Sequence, residues 1–302
     1  MSTREAFVLG LGAITVPVSL VLGNWYPLLA GPLPLAGIGG TFFLAYRWRL
    51  MDSPRFVQWW LVLSVGMALG SIMTGLGNGL TDEPYATPAF LSKWPNLYSG
   101  TLTLTYGQYG MPALPKTWNY VYLPLMVWYQ VPGVTDGLGY QYLMLGTWAA
   151  LLYLNRANRA SLVLLASPWV GLLAANGFND FVPFLFMSLA FVTLSGWSAR
   201  VTRYVALGLK QFANVLIIGY YLLVCDWRHA TEACIVTALI LVPFVLLDPT
   251  GFWCGAITGC SPGTKNDVGW AILAHANYCL WPTFAVATFG PILRPKRRHQ
   301  KL

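Results

Sequence analysis

Long apolar runs alternate with short polar or basic breaks along most of this chain. Runs fall near residues 7–22, 27–46, 56–78, 159–175, 181–197, 204–224 and 268–290. Each approaches the roughly 20 residues that a helix needs to cross a bilayer. Two further runs between residues 118 and 154 are divided by Pro132, Gly133, Asp136 and Gly137. The period-2 alternation of a membrane β-barrel is not visible, so the spanning elements are expected to be helices, whose backbone groups are all satisfied within one segment. The pattern predicts an all-α fold, a polytopic integral membrane helical bundle with about 8–10 membrane segments. Residues 1–302 are read as a single transmembrane domain.

Composition agrees with the pattern. The chain is 56% hydrophobic and only 9% charged, where a soluble domain carries about 25% charged residues. Its mean hydropathy is +0.56. The first run follows Arg4 as a signal peptide would, yet no small-residue cleavage site follows it and a second run begins almost at once, so a retained helix is expected. The formal charge of +8 is concentrated in breaks between runs: Arg47, Arg49 and Arg55; Arg156 and Arg159; Arg200 and Arg203; Arg228 and His229; and Lys296, Arg297 and Arg298. The positive-inside rule assigns these to the cytoplasm of a multi-pass cell-membrane protein, with both ends of the chain cytoplasmic. Loops 78–118 and 249–267 then face outside, as does a tight turn at Asn176, Gly177, Phe178, Asn179 and Asp180. Residues 291–302 form a basic cytoplasmic tail suited to anionic headgroups.

Simple counting fails twice under this assignment. The 118–154 region needs an odd number of crossings, and a full crossing by 204–224 would carry Arg228 outside. A re-entrant or broken run in each region resolves both, with Pro124 and Pro132 interrupting the first and Lys210, Gln211 and Asn214 the second. The alternative is one violation of the rule, which is statistical. Irregular backbone at membrane depth is tolerated only against protein or a watery cavity, so such breaks would mark a site.

Candidate chemistry follows from the few charges in apolar or aromatic settings. Asp82 and Glu83 are adjacent carboxylates in a long aromatic loop. Lys210 lies inside an apolar run; it either snorkels to nearby headgroups or, with Gln211 and Asn214 beside it, binds an anion in a polar cavity. Asp180 either touches substrate or caps the helix that begins at Phe181. Asp226 and Glu232 read as a solvated charge cluster, Asp248 as a cap or turn, and His275 as hydrogen-bonded packing or a ligand. Cys225, Cys234 and Cys279 are helix filler, whereas Cys254 and Cys260 could pair if their loop faces an oxidising exterior. The spacings show no metal site, Walker motif or dinucleotide fingerprint, so no metal, cofactor, ATP or nucleotide sugar is expected, and no nucleic acid.

The order DEPY, PNLY, YVYLPL, NGFND, RYVALGLKQFANVLI, LVPFVLLDPTGFW across residues 78–255 resembles the multi-spanning GT-C-type glycosyltransferases. The likeness is to the mannosyltransferase-like branch that takes a sugar from a polyprenyl-phosphate donor. Three predicted helices precede the loop where that family usually has one, and YVYLPL has one proline of the usual pair, which marks a divergent or minimal member. The resemblance implies a GT-C-like fold and an inverting transfer of a sugar, mannose above all, to a lipid or glycan acceptor on the external face. It implies Asp82 as base with Glu83 beside it, Lys210 and His275 toward the donor phosphate, and Tyr85, Tyr98, Tyr122, Asn179, Asp180 and Gln211 toward substrate. Trp94 and Trp118 join Tyr98 and Tyr122 as rings that could stack on sugar or form an interfacial belt. Lys93 and Lys116 are further phosphate candidates. Membrane lipids and possible membrane protein partners complete the expected associations. The competing class is a non-catalytic GT-C-like membrane subunit, or a lipid or solute transporter.

Overall fold

The computed structural model describes residues 1–29, 31–73, 83–99, 102–106, 114–118, 120, 122–133, 137–258 and 268–293. They are helical apart from one two-stranded antiparallel pair, β1 (Leu102–Tyr106) and β2 (Leu114–Trp118), in which Leu104 faces Lys116 across the ladder. The pair and a helix at Glu83–Ser92 lie within what the sequence suggests is one long loop. The strand signal is local: Leu-Thr-Leu-Thr-Tyr alternates with period 2 in residues that favour a pleated surface.

Seven main helices and several shorter ones build the frame. Helix α1 (Thr3–Trp25) is opened by a capping box in which Ser2 Oγ accepts from the Glu5 amide and the Glu5 carboxylate accepts from the Ser2 amide at 2.6 Å. The 27–46 run is divided into short pieces, including Pro32–Leu35, Ala36–Gly40 and Thr41–Arg47. Next come α2 (Pro54–Met73) and α3 (Gly137–Leu154), then α4 (Arg159–Leu165), α5 (Pro168–Ala175) and α6 (Phe181–Ser188). Helices α7 (Gly196–Leu207), α8 (Gln211–Leu223), α9 (Trp227–Leu247) and α10 (Val268–Leu293) complete the series. Among the described residues, three helices are long and apolar enough to cross a membrane: Thr3–Leu22, Pro54–Met73 and Trp227–Leu247. Their outer faces are strongly apolar, with Phe7, Ile14, Trp59, Val62, Leu239 and Leu246 exposed, as lipid-facing surface requires.

The α4–α5 break illustrates how the interior tolerates irregular backbone. Pro168 cannot donate, so the helix stops at Ala166 and restarts at Pro168, which leaves carbonyls without their usual helical donors. Side chains replace them at two positions, where Trp60 Nε1 donates to Val163 O at 2.8 Å and Trp148 Nε1 to Leu165 O at 2.7 Å, while Ser64 Oγ adds a bond at 2.8 Å to Ser167 O, which also accepts from the Val170 and Gly171 amides. Every residue from Val163 to Phe184 is buried. The helix α5 therefore runs through the centre of the molecule, against α2.

The basic breaks among the described residues gather at one end. Arg159 pairs with Asp52 at 2.9 Å, and Ser53 meets Glu5. Ser161 meets Thr288, next to Phe289, which stacks on Tyr220 and contacts Phe191 edge-on. Arg200 pairs with Glu232 at 3.3 Å, and Asp226 with His229 at 2.7 Å. Asp226 and Glu232 thus form part of the charged surface cluster that the sequence suggests, with His229 and Arg200 as partners.

Candidate functional site

The chain doubles back at Gly208–Leu209–Lys210. Helix α7 leads away from the basic end, and α8 returns to it, so that Arg200 and Arg203 of one arm meet Glu232 and Tyr221 beyond or within the other. At 12 and 13 residues, each arm is about 18–20 Å long, short of the about 30 Å of a bilayer core. The polar residues at the break satisfy its loose ends. Asn214 Nδ2 donates to Leu207 O at 3.0 Å and Asn214 Oδ1 accepts from Thr237, joining the end of α7 to α9. Gln211 donates to Ala256 O, so this expected substrate contact is spent at least partly on backbone. Gly208 O accepts from the Leu125 amide at 2.9 Å, and the Leu125 side chain occupies the space a Cβ at Gly208 would need.

Lys210 itself points into the protein. Its ammonium donates to Asp180 Oδ1 at 2.5 Å and Asn179 Oδ1 at 3.0 Å, and lies 5.2 Å from the centre of the Tyr122 ring. The side chains are 13% exposed for Lys210 and 3% for Asp180. Asp180 also accepts from Trp281 Nε1 at 3.1 Å. Two corrections follow. The 176–180 turn is not a solvent-exposed loop: Asn176, Asn179 and Asp180 are buried, because α5 and α6 are half-length arms whose apex lies inside the molecule. Asp180 makes no side-chain cap on α6; its carboxylate serves the lysine and the indole instead.

The pair leaves donors over. An ammonium has three N–H groups, and two are used by Asn179 and Asp180. The Asn179 amide nitrogen is buried without a hydrogen-bond partner among the described residues. Such an orphan costs about 1–3 kcal/mol. The arrangement therefore holds a cation and an unsatisfied amide donor in one buried polar centre.

Hydrogen bonds tie the Glu83–Ser92 helix to Tyr140, which packs near this centre through apolar contacts. Glu83 opens its helix and Tyr85 follows in the first turn, whereas Asp82 lies outside the described residues. Thr87, one turn on from Glu83, donates to Gln130 Oε1 at 3.1 Å, and Gln130 donates to the Tyr140 hydroxyl at 3.1 Å. Tyr140 packs in one cluster with Val182 and Leu209, the neighbours of Phe181 and Lys210. The short helix Met126–Gln130, set between Pro124 and Pro132, is the interrupted run that the sequence suggests.

Other predicted residues fall elsewhere. Tyr98 is buried against Tyr120, Phe244 and Phe252, and its hydroxyl donates to Tyr122 O at 2.6 Å. Burial pushes its phenol well above the ordinary range, and Tyr120 likewise, so both remain neutral donors. Trp94 meets Trp128 and Phe244 edge-on at the margin of this cluster. Lys93 is turned onto Ser99 O at 2.8 Å. Asp248 caps the following turn through Gly251 N at 2.8 Å, which fits the capping alternative. From α10 the structure brings Trp281 to Asp180, while His275 lies earlier in the same helix. Trp281 was not singled out in the sequence; one indole among 14 tryptophans carries no mark of the carboxylate it will meet. Cys254 is in the Trp253–Thr258 helix and Cys260 lies outside the described residues. No family model matches the chain, nor does any curated protein or solved structure.

Proposed function

We propose that this protein is a polytopic GT-C-like membrane glycosyltransferase that moves a sugar, mannose first among candidates, from a polyprenyl-phosphate carrier to a lipid or glycan acceptor on the external face. The observation that carries the reading is the buried centre around Lys210, where one ammonium proton and the Asn179 amide have no partner among the described residues. A departing lipid phosphate gains charge in the transition state, and fixed donors in a water-poor site stabilise that charge by several kcal/mol. The Glu83–Ser92 helix is hydrogen-bonded through Thr87 and Gln130 to Tyr140, which packs with Val182 and Leu209 beside that centre. In this reading Asp82 takes the proton from the acceptor hydroxyl while the carrier phosphate leaves from the opposite face of the sugar. Lys210 holds the phosphate, and Tyr122 lies beside it.

One observation favours the second reading, a non-catalytic membrane subunit or a transporter: Asp180 already neutralises Lys210. Purified protein given polyprenyl-phosphate-mannose and membrane extract as acceptor separates the two. Transfer is expected in the wild type. Asp82→Asn should lower it by orders of magnitude with folding retained, and Glu83→Gln should lower it less, as expected for loss of a general base worth about 10²–10⁴-fold. Wild-type transfer by Asp82→Asn would remove the assigned base, and no transfer by the wild type with several carrier sugars would favour the subunit or transporter.

A further inference from the structure

A second polar site lies at the opposite, basic end of the α7–α8 hairpin. A cavity of about 470 Å³ opens there, bounded by Gly196, Trp197, Arg200, Arg203 and His229. That is within the range of roughly 300–1,000 Å³ typical of small-molecule sites. Gly196 turns the chain into α7 with φ +59°, and no atom fills the space beside it. The left-handed turn leaves the mouth of the cavity clear.

The charges around the cavity are not balanced. Arg200 is matched by Glu232 and His229 by Asp226. Arg203 is half-buried and has no carboxylate within ion-pair distance among the described residues. Its guanidinium donates to the Tyr221 hydroxyl and lies 5.7 Å from the centres of the Phe191 and Tyr221 rings. A guanidinium has five donors in a planar fork that matches a phosphate. A partly desolvated cation held by two rings and one neutral hydroxyl is short of an anion.

The location says which anion. His229 is in the first turn of α9, a candidate membrane-spanning helix, so the cavity opens where that helix would leave the hydrocarbon. Trp197, 71% exposed, and Trp227 flank it as interfacial tryptophans do. Val201, one turn beyond Trp197 on α7, carries exposed apolar surface onward from that indole, where acyl chains would lie. We propose that this cavity binds the phosphodiester headgroup of an anionic membrane phospholipid, with Arg203 as its principal ligand and Arg200 at the rim.

Native mass spectrometry of the detergent-purified full chain, re-lipidated with phosphatidylglycerol or with phosphatidylcholine, tests this. Phosphatidylglycerol should be retained in preference, and Arg203→Gln should lower its retention about tenfold, the loss expected for a charge-assisted hydrogen bond. Because Arg203 also braces Tyr221, two further variants guard against misfolding. Arg203→Lys should recover part of the retention, and Arg200→Gln, at the rim, should lower it less. Equal retention of the two lipids, or retention unchanged in Arg203→Gln, would overturn the proposal. Displacement of phosphatidylglycerol by millimolar inorganic phosphate would assign the site to a free anion and overturn the headgroup assignment.

Discussion

Lys210 and Asp180 are each other's condition for being buried. Removing one partner of such a pair leaves an uncompensated charge in the interior and typically costs about 3–5 kcal/mol, whereas removing both can be close to neutral. Lys210→Met and Asp180→Leu should therefore each lower the melting temperature in detergent strongly, and the double variant should be more stable than either single. Additive losses would mean that the 2.5 Å contact contributes little. The cycle also separates structure from function. A stable double variant that no longer uses a lipid-phosphate donor would place the role of the lysine in binding, whereas an intact donor response would leave it a structural one.

Among the elements, close approach depends on a few small residues. A Cβ at Gly171 of α5 would fall on the Ser64 carbonyl of α2, at Gly12 on the Trp60 ring, and at Gly37 on the Trp169 indole. Small residues at these crossings let backbones and indoles pack at a distance no larger side chain allows. At Gly171 the obstacle is backbone, which cannot swing away. Gly171→Ala should destabilise by about 1–3 kcal/mol, the usual cost of overpacking, seen as a lower thermal midpoint, while Gly146→Ala on α3, where nothing lies within 4 Å, should leave the midpoint unchanged or raise it slightly, since alanine is the better helix former. The elements themselves were legible to different degrees. Runs such as 56–78 and 268–290 announce their helices, and the cluster of Lys210, Gln211 and Asn214 points to the break at Gly208. The depth of the 176–180 turn was not legible, because Asn-Gly-Phe-Asn-Asp has the composition of a surface turn. Only the arrival of Lys210, Trp281 and Ser71 from distant segments, the last donated to by Asn176 at 3.0 Å, makes its burial affordable. Polarity in a sequence records a need for partners, and does not say whether water or protein meets it.

For the whole molecule, the gathered arginines define a polar end and, by contrast, an opposite end that carries the Glu83–Ser92 helix and the residues around Phe252. The positive-inside rule predicts that the arginine end of that axis faces the cytoplasm. Cys225 sits between α8 and α9 at the basic end, exposed and at φ 58°. As the sole cysteine of a variant chain, it should react with a membrane-impermeant maleimide in inside-out vesicles and stay unreacted in right-side-out ones. The reverse pattern would invert the axis and put the proposed headgroup site in the outer leaflet.

The separation of Asp180 and Lys210, 30 residues along the chain, has a consequence for biogenesis. A nascent chain emerges in order, so the carboxylate leaves the ribosome first and the α5–α6 apex can be seated before the α7–α8 hairpin is made. A lysine entering lipid alone costs about 2.5–3.5 kcal/mol at the centre of a helix. Here the counter-charge is already waiting, so the apex of the hairpin reaches a prepared berth while Arg200 and Arg203 of its first arm stay at the basic end.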